Sequence, residues 1–169
     1  MIRNLMKVNL TNSVNYHKII HPSTGINMNQ EQRETVERIK EKATRWIYVN
    51  FQKAGFHRYI AAETDPKLAD VSYLGNRHRH MFKFNVQIQI FHNDRELEFH
   101  QVLNYCESLF ATQAIDIDFK SVEMLSDDLY VQLAAKYPGR DMKISVSEDG
   151  ECGCVIEYNT THPAQSIVI

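Results

Sequence analysis

Residues 77–90 read Arg77-His78-Arg79-His80-Met81-Phe82-Lys83-Phe84-Asn85-Val86-Gln87-Ile88-Gln89-Ile90. The even positions carry His78, His80, Phe82, Phe84, Val86, Ile88 and Ile90, and the odd ones Arg77, Arg79, Met81, Lys83, Asn85, Gln87 and Gln89. Side chains on a strand alternate with period two, so one face of this segment is apolar and the other polar. The pattern predicts a long, half-buried strand in an antiparallel sheet. Both histidines fall on the apolar face, where an imidazole needs a partner.

Upstream, Trp46-Ile47-Tyr48-Val49-Asn50-Phe51 is β-branched and aromatic and predicts another strand. Asp65-Pro66 and Gly75-Asn76 are turn signals between the two. Residues 30–42 are charged with helical spacing. Glu34 and Arg38 stand four apart, and Val36, Ile39 and Ala43 form a thin apolar stripe, as in a solvated surface helix. Residues 1–29, rich in Asn, Ser and Thr, read as an N-terminal arm. Downstream, Leu97, Val102, Leu103, Cys106, Leu109 and Phe110 give residues 96–112 one apolar side of a helix. A second helix is expected from about Ser126 to Lys136, with Ser126-Asp127-Asp128 at its start and Pro138-Gly139 at its end. Met142, Ile144, Val146 and Glu148 then share a strand face. Asp149-Gly150 is a two-residue hairpin turn, and Cys152 to Tyr158 returns. A short tail follows over about 160–169. The prediction is α+β: an arm over 1–29, then one domain over 30–169.

Composition narrows the function classes. With 169 residues and 43% hydrophobic content, the chain has enough apolar material for a core without disulfide or metal staples. A formal charge of −2 argues against a nonspecific nucleic-acid binder, which needs a basic surplus. No stretch approaches the roughly 18 apolar residues of a membrane span. Residues 1–10 lack the apolar core of a signal peptide, and three cysteines suit a reduced compartment, so a cytoplasmic location is expected.

Three places offer chemistry. His78 and His80 project to the same side of a strand roughly 7 Å apart, close enough to share a metal ion with Zn–N distances of about 2.0–2.1 Å. His57, in Gly55-Phe56-His57-Arg58-Tyr59, is the candidate third ligand. The same spacing also suits ordinary strand histidines with hydrogen-bond partners. Glu148 ends an apolar row, where a carboxylate either grips a ligand with adjacent N–H donors or sits exposed at a strand end. Cys152-Gly153-Cys154 offers two thiols, but no second pair completes a zinc site, and plain packing explains them.

In chain order these pieces resemble the tunnelling fold, and within it the family of 6-pyruvoyltetrahydropterin and 6-carboxytetrahydropterin synthases. The family's Ala-Ala-His-Arg-Leu is matched by Gly55-Phe56-His57-Arg58-Tyr59, and its His-Gly-His-Asn-Tyr by His78-Arg79-His80-Met81-Phe82. Its Asp-Phe helix start is matched by Glu98-Phe99. Its Thr-Ser-Glu-Asn-Leu is loosely similar to the stretch from Ser121-Val122-Glu123 to Asp128-Leu129, and its ring-anchoring glutamate is matched by Glu148. The resemblance covers about residues 45–158. It departs from the family at three points. Tyr73-Leu74-Gly75-Asn76-Arg77 lacks the catalytic cysteine, 114–119 lacks the Asp-His pair, and Arg79 replaces a glycine.

The resemblance implies a four-stranded antiparallel sheet with two helices on one face, closing with other copies into a barrel, as a homohexamer of stacked trimers. It implies zinc on His57, His78 and His80, with Glu148 and Phe99 binding a pterin, a deazapurine precursor or a purine nucleotide. With the nucleophile missing, Asp116, Asp118 or Tyr73 is left to move protons. The alternative is a binding protein that sequesters a purine- or pterin-like molecule without turnover.

Overall fold

A computed structural model describes residues 27–160. They fall into two compact units that divide between Ala43 and Thr44. Most of the expected arm, 1–26, and most of the expected tail, 161–169, lie outside the described residues.

In the first unit, α1 spans Gln30–Lys42. It starts at Asn29 because a reciprocal cap satisfies two orphan amides: Gln32 N–H donates to Asn29 Oδ1 at 2.9 Å, and Asn29 N–H donates to Gln32 Oε1 at 3.0 Å. No residue of α1 is buried, as expected for a solvated helix, and Val36 and Ile39 are exposed. Glu34 accepts from Gln30 at 2.7 Å instead of meeting Arg38, and Glu37 takes Lys40.

The second unit is α+β. Its strands are β1 (Arg45–His57), β2 (His78–Ile90), β3 (Ile115–Asp118), β4 (Met142–Glu148) and β5 (Cys152–Tyr158). Its helices are α2 (Phe99–Ser108) and α3 (Val122–Lys136), with two 3₁₀ helices, Ile60–Glu63 and Pro66–Gly75, between β1 and β2. The sheet has five strands in the order β3-β1-β2-β4-β5, where four antiparallel strands were expected. β1, β2, β4 and β5 do pair antiparallel, but β3 adds a parallel edge beside the end of β1, so the sheet is mixed and open. β3 escapes prediction because four residues alternating with aspartate are too short to show a period.

β1 and β2 pair along their full lengths, from Arg45↔Ile90 to His57↔His78. Directly opposed residues share a face, so Val49 and Phe51 join Phe82, Phe84, Val86 and Ile88. Met142, Ile144 and Val146 extend the row, and Val102, Cys106, Leu125, Leu129 and Leu133 cover it from α2 and α3. Phe51 and Phe84 stack at its centre with centroids 4.5 Å apart. The other face is polar: Asn85 donates to Asn50 at 2.8 Å, and Gln87 donates to Asn85 at 2.9 Å.

α2 is shorter than the expected 96–112, and Glu98 caps it by accepting from His100 N–H at 3.3 Å. α3 begins four residues before the expected Ser126. Its cap is Ser121, which accepts from Met124 N–H at 3.3 Å. Ser126 is instead fully buried within the helix, where its hydroxyl meets the Cys154 thiol. The β4–β5 connection is a hairpin as expected but one residue longer than the expected two: Glu148 pairs with Cys152, leaving Asp149, Gly150 and Glu151 between them. Asp149 and Gly150 both take positive φ (56° and 84°), and Glu151 N–H donates to the Glu148 carbonyl at 3.0 Å.

Candidate metal centre

Three side chains converge because of strand register. His57 is the last residue of β1 and His78 the first of β2, and they are direct cross-strand partners. His80 lies two residues along on the same face, opposite Gly55. Gly55 leaves room there: a Cβ on it would fall 2.7 Å from both the Phe82 ring and the Ile115 side chain. The imidazole centroids stand 4.6, 5.1 and 5.0 Å apart, each pair edge to face, over the buried Phe82 ring.

One ring nitrogen from each histidine lies within 4.8 Å of the other two. Among the described residues this is the one such cluster of His, Cys, Asp or Glu able to hold a metal ion. The cluster's chemistry is defined by its hydrogen bonds. His78 Nδ1 meets the Asn76 carbonyl at 2.7 Å, and His80 Nδ1 meets Asp149 Oδ2 at 2.6 Å. The His57 ring is tied to the Lys120 backbone. A nitrogen facing an oxygen acceptor carries a proton, and in the neutral ring Nε2 is then the lone-pair donor. The three Nε2 atoms are buried without any hydrogen-bond partner. Orphaned imidazole nitrogens that lie this close together fit a metal ion.

Electrostatics favour the neutral ring. Burial holds the His57 imidazole below its usual pKa. Glu148 opposes that shift, while His78 and His80 add to it. Behind the cluster, the hydrogen bond from His80 and a second from Met81 N–H (2.8 Å) keep the Asp149 carboxyl below its usual range.

Glu148 ends the apolar row of β4 opposite Phe82, diagonal to His80. Its Oε1 stands 3.2 Å from His57 Nε2 and its Oε2 3.6 Å from His80 Nε2, with 28% of the side chain exposed. Beside it opens a cavity of about 350 Å³, bordered also by His57, His78, Arg58, Phe119 and Glu123.

The other candidate residues do not join the histidine cluster, although Asp118 is the register partner of His57 where β3 meets β1. Asp116 sits on β3, where its carboxylate accepts from Arg77 at 2.8 Å, a contact that holds its pKa below the usual range. Asp118 accepts from Arg58 at 3.0 Å. Tyr73 is 65% exposed at the end of the second 3₁₀ helix. Phe99 borders a separate cavity with Trp46, Tyr48 and His100. Cys152 is exposed and Cys154 half-buried against Ser126, and neither joins the histidines.

Sequence reasoning missed Asp149, Asn76 and Lys120, which orient the rings. Two act through backbone groups that carry no sequence signal. Asp149 reads as a turn residue, and its second role follows only from the hairpin folding back on Met81. No helix among the described residues is long and apolar enough to cross a membrane. No protein-family model matches the chain, and no curated protein matches it by sequence; the site therefore rests on its own geometry.

Proposed function

We propose that this chain is a divergent zinc protein of the tunnelling-fold type, similar to the 6-pyruvoyltetrahydropterin and 6-carboxytetrahydropterin synthases. On this reading it acts on a pterin, a deazapurine precursor or a purine nucleotide. The observation that carries the reading is the meeting of three buried, unpartnered Nε2 atoms from His57, His78 and His80 beside a carboxylate and a cavity. The order of elements supports it: β1-β2, then α2 and α3 with the short β3 between them, then β4-β5, with His57, His78 and Glu148 at the ends of their strands.

Neutral imidazoles suit zinc, which when bound supplies Lewis-acid polarisation of a substrate oxygen. The chain's own residues do the rest. Asp149, Asn76 and Lys120 hold the rings in one tautomer. Phe82 closes the floor against water, and the cavity beside Glu148 receives a flat ring. The reading carries with it a homohexamer formed through the open edges β3 and β5, and a cytoplasmic setting in which Cys106, Cys152 and Cys154 stay reduced.

A second reading, ligand binding without turnover, is favoured by one observation. Asp116 and Asp118, the acids available to move protons, are engaged by Arg77 and Arg58. Metal analysis and turnover assays with pterin and nucleoside triphosphate substrates test both. Stoichiometric zinc that is lost in His78→Ala and His80→Ala supports the metal centre, and product formation separates enzyme from binder. Wild-type protein that takes up no metal sinks both readings.

A further inference from the structure

On the sheet face opposite the histidines, two cross-strand rows lie side by side: Asn50, Asn85 and Ser145 in one, Gln52, Lys83 and Ser147 in the other. These six residues border a cavity of about 400 Å³, within the roughly 300–1,000 Å³ of small-molecule sites. Its amides point their donors one way. Gln87 donates to Asn85 Oδ1 at 2.9 Å, and Asn85 donates to Asn50 Oδ1 at 2.8 Å. The ladder occupies both amide oxygens and ends on the Asn50 NH₂ group, which meets no acceptor among the described residues.

The charge beside these donors is uncompensated. The Lys83 ammonium makes no hydrogen bond or ion pair among the described residues and extends toward Gly150, where a Cβ would fall 2.9 Å from its Nζ. The Asp149 carboxylate feels that charge but spends its two oxygens on His80 and the Met81 N–H. Along β1, β2, β4 and β5 this face carries one carboxylate, Glu157, and Lys143 takes it at 2.7 Å. What remains is an ammonium, amide N–H groups and two hydroxyls. The ammonium repels a metal ion, and a neutral sugar leaves it without a counter-charge; an oxyanion satisfies it and the other donors together. The donors come from three adjacent strands spaced about 4.8 Å apart, a spread that suits the three terminal oxygens of a phosphoryl group better than the two of a carboxylate. We propose that this cavity binds the phosphoryl group of a small phosphate monoester through Lys83, Asn50 and the Ser145 and Ser147 hydroxyls. The site lies across the sheet from the metal centre and does not rest on it.

Titration of the full chain with orthophosphate and with ribose 5-phosphate, followed by calorimetry and ³¹P resonance shifts, tests this. Ribose 5-phosphate carries no purine or pterin ring for the cavity beside Glu148, and ribose is the uncharged control. Saturable binding of both phosphates and none of ribose is expected, with the tighter of the two naming a monoester or free phosphate as the source. Lys83→Met is expected to weaken binding about 10–100-fold, the worth of a hydrogen bond to a charged group. Asn50→Asp keeps the acceptor that Asn85 uses but replaces the NH₂ donor with a negative charge, and is expected to weaken binding at least as much. Circular dichroism checks that both variants fold. A protein with His78→Ala and His80→Ala together is expected to bind phosphate as wild type does. Three results overturn the inference: no saturable phosphate binding by wild type, binding unchanged in folded Lys83→Met and Asn50→Asp, or binding lost in the double histidine variant, which would put the anion at the metal centre instead.

Discussion

Each imidazole of the cluster has one nitrogen turned into the cluster and another side anchored to the protein, so in a metal centre the anchors matter as much as the candidate ligands. Asp149 is the most informative of them. Its Oδ2 meets His80 and its Oδ1 accepts from Met81 N–H. Asp149→Ala is expected to lower zinc affinity about 10–100-fold without removing any ligand. Asp149→Asn, which tolerates the positive φ and keeps an acceptor, is expected to recover part of that loss. Chelator competition measures both, and an unchanged affinity for Asp149→Ala would show that the tautomer needs no anchor. Two of the three candidate ligands are legible from alternation, since period two places His78 and His80 on the face of Phe82; His57 is a candidate only as the histidine that follows the preceding apolar strand. The anchors are not legible, because a carbonyl of Asn76 or Lys120 has no side-chain signal and Asp149 already has a sufficient role in its turn.

The strands and helices show where periodicity is a good guide and where it fails. β2 and the β4–β5 hairpin follow directly from alternation and from Asp149-Gly150. The start of α3 does not, because a serine followed by two acids looks like a cap whether it is solvated or, like Ser126, buried beneath β5. Ser121→Ala is expected to cost about 0.5–2 kcal/mol in urea denaturation, since Ser121 is the actual cap, whereas a Ser126 cap would predict no effect. Gly55 is the other element-level test. A methyl group there meets the Phe82 ring and Ile115 at 2.7 Å, inside a parallel contact that the sequence hid. Gly55→Ala is expected to destabilise the fold by about 1–3 kcal/mol and to weaken metal uptake through displacement of Phe82, with denaturation and zinc titration as the paired readouts.

At the scale of the molecule, the carboxylate held lowest is Glu96, in an ion pair with Arg140, and part of the acid stability is tied to it. Glu96 accepts from Arg140 at 2.6 Å and from the Phe91 and His92 amides. The Arg140 hydrogen bond, aided by the amides, holds the Glu96 carboxyl down to about 2. In the unfolded chain a glutamate titrates near about 4.3. The folded pKa is the lower one, so the contribution is complete above the unfolded value and is lost as pH falls toward 2. Glu96→Gln is therefore expected to flatten the decline in stability between about pH 4.5 and 2, as followed by denaturation at a series of pH values. A profile parallel to wild type would place acid sensitivity elsewhere.

The pairing of His57 with His78 across the ends of β1 and β2 has a consequence for folding as well as for chemistry. Slippage of this pairing by one residue would send His57 to the opposite side of the sheet and dismantle the cluster. A bound cation would thus act as a clasp that accepts only one alignment of the two longest strands and penalises every misthreaded one. Amide exchange at the His57–His78 end would then slow on metal loading more than exchange at the Arg45–Ile90 end, so that metal content becomes a direct gauge of correctly threaded chains.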